Sequence, residues 1–589
     1  MKTKLTALAL GISLAYASAP VLAQAIIDST GTGNNAYIEQ NASSDAYASI
    51  LQYGAGNQAG NPGAGPGDTA ATPGILQLNS TSVGASIQQT GNANAASIAQ
   101  DAANNSNASA TQTGTANQAE ASQTGDTLQA SIVQSGQANT ASTVQSGANH
   151  TATITTLGST NATATVVQGN GGNTASVLQS SVQNQQALIN QSGNAQLAGI
   201  TQNSGSKEGG ASIAQAGNGH AASVLQTNTW YSHVSVDQLN QSNTANVSQG
   251  GYADYSIATV YQSGSNQSAN VSQNGGTNNG PNGVLKGQYT ASVTQSGGNA
   301  NTASVSQTSG YNSVATVSQI GTFAQAATVN QSGEHHLATV TQNNGTRNGA
   351  AAVSQSGSNS VANVLQTNTW FSNAAVTQDG QGHQGSVTQG GTADYSLATI
   401  NQGGGNQLAT INQNGGTVMA GGGVVQGLYQ AAVDQQGNSN TASVSQSNGY
   451  ADRATIFQNG AFQTASVFQT GGNGSIANVA QEGLLNVASV TQGATAGSQA
   501  SIAQAGGHNQ GTINQNTGTN LAADIAQSGD WNYASIAQVG SDSVATIAQL
   551  GTGASFAERN TAAILQHGNG HVASIMQSGS SNHAGIWQH

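Results

Sequence analysis

The sequence contains no cysteine among its 589 residues. That excludes a disulfide framework and any thiolate metal site. Charge is scarce: 5% of residues are Asp, Glu, Lys or Arg, and the net charge is -13. Seven basic residues against 20 acidic ones leave no cationic footprint for nucleic acid. Aromatic residues make up only 4%, and proline occurs five times, with Pro62, Pro66 and Pro73 close together. No segment after the N-terminus approaches the ~20 apolar residues of a membrane-spanning helix. Such low charge would suit disorder if β-forming apolar residues were also missing. They are not, because Val or Ile recurs about every 11 or 12 residues along most of the chain. A chain this long without disulfides is left with backbone ladders and close packing to hold it.

The N-terminus reads as a secretory signal. Lys2 and Lys4 form its charged region, Leu5 to Ala17 its apolar stretch, and Val21-Leu22-Ala23 a small-residue cleavage site. The expected division is a signal over 1–23, a leader with one early repeat pair over 24–60, a Pro/Gly-rich loop or linker over 61–74, and a repeat array over 75–589. Proline cannot donate to a β ladder, which is why the cluster at 62–73 reads as a loop.

What fills the rest is a repeat. Gln527, Gly529, Asn532, Ala534, Ile536 and Gln538 are followed at once by Gln538, Gly540, Ser543, Ala545, Ile547 and Gln549. All of these except the glycines share one parity. Side chains alternate faces along a strand, so Asn/Ser, Ala, Ile and Gln point one way and Ser535 or Thr546 the other. Gly two residues after each Gln allows a turn free of Cβ strain. The glutamines at 435, 446, 458, 469, 481, 492, 504, 515 and 527 alternate spacings of 11 and 12, so the period is about 23 residues with two inequivalent halves. The pattern predicts an all-β, two-layer cross-β solenoid of about 22 rungs, about 23 residues per rung.

An unpaired amide is costly to bury, so the inward glutamines are expected to form a ladder, each bonding to the next rung. Gln89, Gln100, Gln134, Gln145, Gln435, Gln446, Gln527, Gln538, Gln577 and Gln588 belong to it. A second inward column stands at the corner, with Asn94, Asn139, Asn440, Asn532 and Asn582. His150, His220, His336, His383 and His571 occupy the same column, five residues after a marker Gln, as imidazole substitutes for the amide. Protonation at these histidines offers a way to loosen the stack in acid. Trp230, Trp370 and Trp531 each fall four residues after a marker Gln, in the turn. Leu225 to Ser232 recurs as Leu365 to Ser372, an offset of 140, close to six periods of 23. Each copy is followed by a Gly-rich loop excursion, Asn274 to Gly283 and Asn414 to Gly423. The chain stops at Ile586-Trp587-Gln588-His589, on a complete half-repeat with no polar cap, and such an edge is expected to template another strand.

The spacing Gln-x-Gly-x-x-Asn-x-Ala-x-x-x-Gln resembles the curlin repeat of bacterial curli fibre subunits. It is complete at Gln89/Gly91/Asn94/Ala96/Gln100, at Gln134/Gly136/Asn139/Ala141/Gln145, at Gln435/Gly437/Asn440/Ala442/Gln446 and at Gln577/Gly579/Asn582/Ala584/Gln588. The resemblance implies a secreted structural protein that polymerises with itself into amyloid fibres, for adhesion and biofilm matrix. It also implies a nucleator and an outer-membrane secretion channel as partners. No catalytic constellation, metal site or cofactor motif stands out, and no enzyme activity is expected. The alternative is a monomeric secreted solenoid that binds ice, mineral or polysaccharide through its Ser/Thr columns.

Overall fold

The computed structural model describes residues 23–61, 72–275, 277–278, 285–416, 427–553 and 555–589. The expected signal peptide, most of the Pro/Gly stretch and much of both Gly-rich excursions lie outside them. The described residues contain no α-helix; one 3-10 turn, Phe556–Glu558, interrupts the strands. No helix among them is long and apolar enough to cross a membrane.

The chain divides into two compact units, residues 1–265 with 273–287, and residues 266–272 with 288–589. Each is a β-solenoid of parallel strands. In the first, Gln24–Thr32 pairs with Tyr47–Ala55, which pairs with Gly84–Asn92, then Asn107–Thr115, then Gln129–Gln137. The intervening strands Ala95–Asn104, Gln118–Asp126 and Thr140–Ala148 pair in the opposite sheet. In the second unit, Ala326–Glu334, Ala350–Ser358 and Asn373–Gln381 stack in one sheet, and Leu337–Asn343, Val361–Thr367 and Gln384–Gly390 in the other. One turn of the coil takes about 23 residues, two strands and two corners, as in the 23-residue step from Gln89 to Gln112.

Register follows parity. Ala108 lies over Ala130, Ser109 over Ser131, and Gln112 over Gln134. The Ala, Val/Ile and Gln columns are buried, whereas the Ser and Thr columns between them are part-exposed. Ile536 and Ile547 are both fully buried. Alanine lets the two sheets approach closely, and the β-branched residue two places on fills the gap. Where this column holds glycine, a methyl group has no room: a Cβ on Gly385 would stand 2.7 Å from Val376 Cγ1. The Pro/Gly-rich stretch leaves one sheet continuous, since Gln52 pairs directly with Gln89, and divides a strand of the other into Gln58–Asn61 and Ile75–Leu78, both of which pair with Ala95–Asn104.

The marker glycine has two reasons to be glycine. Gly91 and Gly114 adopt φ of +113° and +117°, a region L side chains avoid. A Cβ on Gly91 would also meet the carbonyl oxygen of Gly114, one rung on, at 2.1 Å. Other corner residues are left-handed without being glycine, among them Ala93, Ala116 and Ala138. Their N–H groups donate to the neighbouring rung, Ala116 to Asn92 O and Ala138 to Thr115 O. That bond offsets the roughly 1–2 kcal/mol of the left-handed turn.

One expectation is corrected. The 140-residue duplication spans eleven half-turns, not the twelve of six full periods. The Gly-rich excursion lengthens one step: Gln273 to Gln295 is 22 residues for a single half-turn, as is Gln413 to Gln435. Within the first excursion, Thr277–Asn278 and Leu285–Lys286 form a short antiparallel pair.

Candidate functional site

Each marker Gln follows an inward residue, in most rungs Val or Ile, by two positions, so parity turns it to the interior as well. Its Nε2 has two hydrogens and finds two acceptors. Gln89 donates to Gln112 Oε1 (2.9 Å) and to the backbone carbonyl of Gln58 (3.1 Å). Gln100 donates to Gln123 Oε1 (2.8 Å) and to Gly84 O (3.2 Å). Gln145 reaches Gln168 (2.9 Å), Gln435 reaches Gln458 (2.8 Å) and Gln446 reaches Gln469 (2.8 Å). In the second unit one ladder runs through Gln481, Gln504, Gln527, Gln549 and Gln577, and the other through Gln492, Gln515, Gln538, Gln566 and Gln588. Within these runs each amide is donor to the next rung and acceptor from the last, so burial leaves it satisfied.

The ladder breaks at Thr156. It pairs with Gln134 on one side and Gln179 on the other but is too short to bridge them. Gln134 Nε2, Thr156 Oγ1 and Gln179 Oε1 are buried without partners. The longer arc after Thr156 does not forbid glutamine, because Gln100, sixth in a ten-residue strand as Thr156 is, completes its bonds. Thr156→Gln is therefore expected to stabilise this region by about 2 kcal/mol, read as slower native-state hydrogen exchange in 129–202.

The corner column forms a second ladder. Asn139 Nδ2 donates to Asn117 Oδ1 (3.0 Å), and Asn117 Nδ2 to Asn94 Oδ1 (3.2 Å). The same Nδ2 groups reach carbonyls four residues back and on the next rung, as Asn94 does to Thr90 and Gly114. Asn440 bonds Gln436 O and Gly460 O, and Asn532 bonds Asn509 Oδ1. Asn582 and Gln588 are only half-buried, because the strand His583–Gln588 pairs on one side alone among the described residues.

Four of the five corner histidines, His150, His220, His336 and His383, are fully buried. His571 is half-exposed, beside a strand, Val572–Ser578, that likewise pairs on one side among the described residues. At His150 and His220 the imidazole copies the amide. His150 Nε2 donates to Ser146 O (3.0 Å), and its Nδ1 accepts the Asn173 N–H (3.3 Å). His220 does the same with Ala216 O and Asn243 N–H. A carbonyl can only accept, so Nε2 carries the proton and the neutral ring fits. Burial holds all four below the usual histidine range. A base protonated less readily when folded withholds stability as the unfolded chain takes up protons. That stability is full above pH ~6.5 and is lost as the pH falls through and below it. Replacing all four by Asn is expected to shrink the fall in the guanidinium midpoint between pH 7 and pH 5; an unchanged fall removes histidine as its cause.

One corner was missed in the sequence because its residue looks like a scattered surface acid. Asp452 is fully buried. Oδ1 accepts the Ser475 N–H at 2.9 Å, while Oδ2 has no partner. Burial pushes its carboxyl up to about 6. Tyr289 and Tyr429, also buried, fill corners next to the two excursions, each hydroxyl donating to the carbonyl of Gly310 or Gly449. Among the described residues, no group of three or more His, Asp or Glu side chains is placed to share a metal ion.

Residues 518–551 and 557–589 match the family model of the curlin associated repeat. These two segments are curlin repeats. The matched segments contain Gln527, Gln538, Gln549, Gln566, Gln577 and Gln588, the last rungs of the two ladders just described. The same rung, with its Gln bond and inward Ala and Val, is already present at Gln307. Comparison with curated proteins found no match.

Proposed function

We propose that the chain is an extracellular structural protein that self-assembles into curli-like amyloid fibres, serving cell adhesion and biofilm matrix. The observation that carries this reading is the equivalence of successive rungs. The bond from Gln481 to Gln504 is the bond from Gln504 to Gln527, in geometry and chemistry. A lattice of identical steps holds nothing that distinguishes the next rung of one chain from a rung of a second copy. Polymerisation would extend the amide ladders and the backbone ladder at once. Curlin repeats also point to a nucleator and an outer-membrane secretion channel as partners, and to the cell surface as the site of assembly. The role is structural, with no catalysis. The Ser/Thr columns of the alternative surface-binding reading are interrupted by Asn246, Ala352 and Asn363.

Incubating the purified chain with an amyloid dye and recording fibre diffraction tests this. Dye binding and reflections near ~4.8 Å along the fibre and ~10 Å across it are expected. A chain that stays monomeric at high concentration overturns the reading.

A further inference from the structure

Lysine and arginine number seven in the whole sequence: Lys2, Lys4, Lys207, Lys286, Arg347, Arg453 and Arg559. Two of them lie on tryptophan faces. Lys207 Nζ stands 5.2 Å from the centre of the Trp230 ring, and Arg347 Cζ stands 5.4 Å from that of Trp370. Both tryptophans are exposed, at 47% and 41%. Beside each is a parallel aromatic pair. Tyr231 and Tyr255 stack at 4.9 Å and 16°, Phe371 and Tyr395 at 4.9 Å and 18°. An aspartate fixes each turn: the Trp230 N–H donates to Asp254 Oδ1 (2.8 Å), and the Trp370 N–H to Asp394 Oδ1 (2.7 Å). Each patch lies within one compact unit.

The two patches are copies, offset by 140 at every position, so they can be compared. Two exposed tyrosines elsewhere in the duplication have diverged. Tyr252 is replaced by Thr392, and Tyr261 by Asn401. In the patch the chemistry persists through substitution: Lys207 becomes Arg347, Tyr231 becomes Phe371, and both tryptophans stay. Glu208, whose charge lies close enough to raise the Tyr231 pKa, becomes Asn348, a polar residue at the same position. Turn stability alone does not require a cation, and cations are what this chain otherwise avoids.

We propose that each patch binds a pyranose ring of an acidic polysaccharide, the aromatic faces packing on its C–H face and Lys207 or Arg347 pairing with its carboxylate. Flat exposed rings with a polar rim suit a sugar, which is apolar on its faces and hydroxylated at its edge. The cation selects an acidic sugar, since ammonium and guanidinium pair strongly with carboxylate. Nucleic acid fits less well: it requires a track of cations along the phosphates, and each patch has one in a chain of net charge -13. This inference does not rest on fibre formation, because every residue of a patch belongs to one chain.

The test is a calorimetric titration of the full chain with an oligouronate and with a neutral β-linked gluco-oligosaccharide of equal length. A saturable change is expected with both, about tenfold tighter for the uronate at low salt. Lys207→Met combined with Arg347→Met should abolish the preference while leaving neutral-sugar binding in place. Trp230→Ala combined with Trp370→Ala should remove both, with the β-sheet circular dichroism unchanged. The proposal is overturned if neither sugar gives a saturable change, if the Met pair keeps the uronate preference, or if a single-stranded oligonucleotide binds more tightly than the uronate. Absence of amyloid-dye staining would leave it standing and sink only the fibre reading.

Discussion

Asparagine at position 452 is expected to stabilise the second unit by about 3 kcal/mol at pH 7. Asp452 occupies a corner where amides fit. At the equivalent corner Asn173, Oδ1 accepts the backbone N–H of Gln196, and Nδ2 donates to Gly169 O and Gly193 O. Asp452 reproduces the first bond through Oδ1, to Ser475 N–H. Its Oδ2 stands where Nδ2 belongs and has nothing to donate unless protonated. Burial therefore favours the acid form and raises the carboxyl from 3.8 to about 6. The sign follows from proton counting. The folded state holds the proton more tightly than the unfolded one, so stability is highest below pH ~3.8, declines as the pH rises through about 6, and is level above it. At ~1.4 kcal/mol per pH unit, the gap between 3.8 and about 6 is worth about 3 kcal/mol. Asp452→Asn removes this loss. Native-state hydrogen exchange over 430–481 at pH 7 should slow by that amount, and the advantage should vanish near pH 4. An advantage that stays constant with pH would mean that ionisation of Asp452 is not its source. This dependence runs opposite to that of the histidine corners, so the four-histidine variant is best compared in the Asp452→Asn background.

Leucine in place of Gln481 is expected to cost about 3 kcal/mol. The side chain is fully buried and makes three bonds: it donates to Gln504 Oε1 (2.8 Å) and Thr464 O (3.1 Å), and accepts from Gln458 Nε2 (2.8 Å). Leucine has nearly the same volume and gains ~1–2 kcal/mol of apolar burial. Against that, Gln504 Oε1 and one hydrogen of Gln458 lose their partner, at about 1–3 kcal/mol each, and Thr464 O loses a bond. Because each rung touches only its neighbours, the loss should concentrate at 453–504 and leave the first unit's exchange unchanged. A loss spread evenly over the chain would count against a ladder of nearest-neighbour bonds. The natural gap at Thr156 is the same defect, already present, which is why filling it is expected to stabilise.

Strand parity is what made so much legible in advance. Once Ala534, Ile536 and Gln538 fall on one face, a dry interior and a stack of amides follow, because a buried amide must bond and the nearest identical group is one rung away. His150 and His220 could be placed in the Asn corner by counting alone, since spacing is conserved through a rigid coil. Asp452 could not, because its arc is one residue longer and its position drops out of the five-after-Gln count. The half-turn shift of the duplicated patches was hidden as well. The excursion before Gln295 adds about ten residues without adding a strand to the coil.

By itself, the sequence determined the element type, the period near 23, which side chains face inward, and the bonding of the Gln columns. These are local properties that repeat, and a repeat read once applies at every rung. Only the tertiary structure decided what depends on the neighbouring rung's backbone. It showed that Gly91 is needed for the Gly114 carbonyl as well as for its φ, that alanine can be left-handed at a corner when its N–H reaches the next turn, and that Lys207 lies over Trp230. Those contacts join residues about 20 positions apart whose approach is set by stacking, a distance that no local pattern of residues encodes.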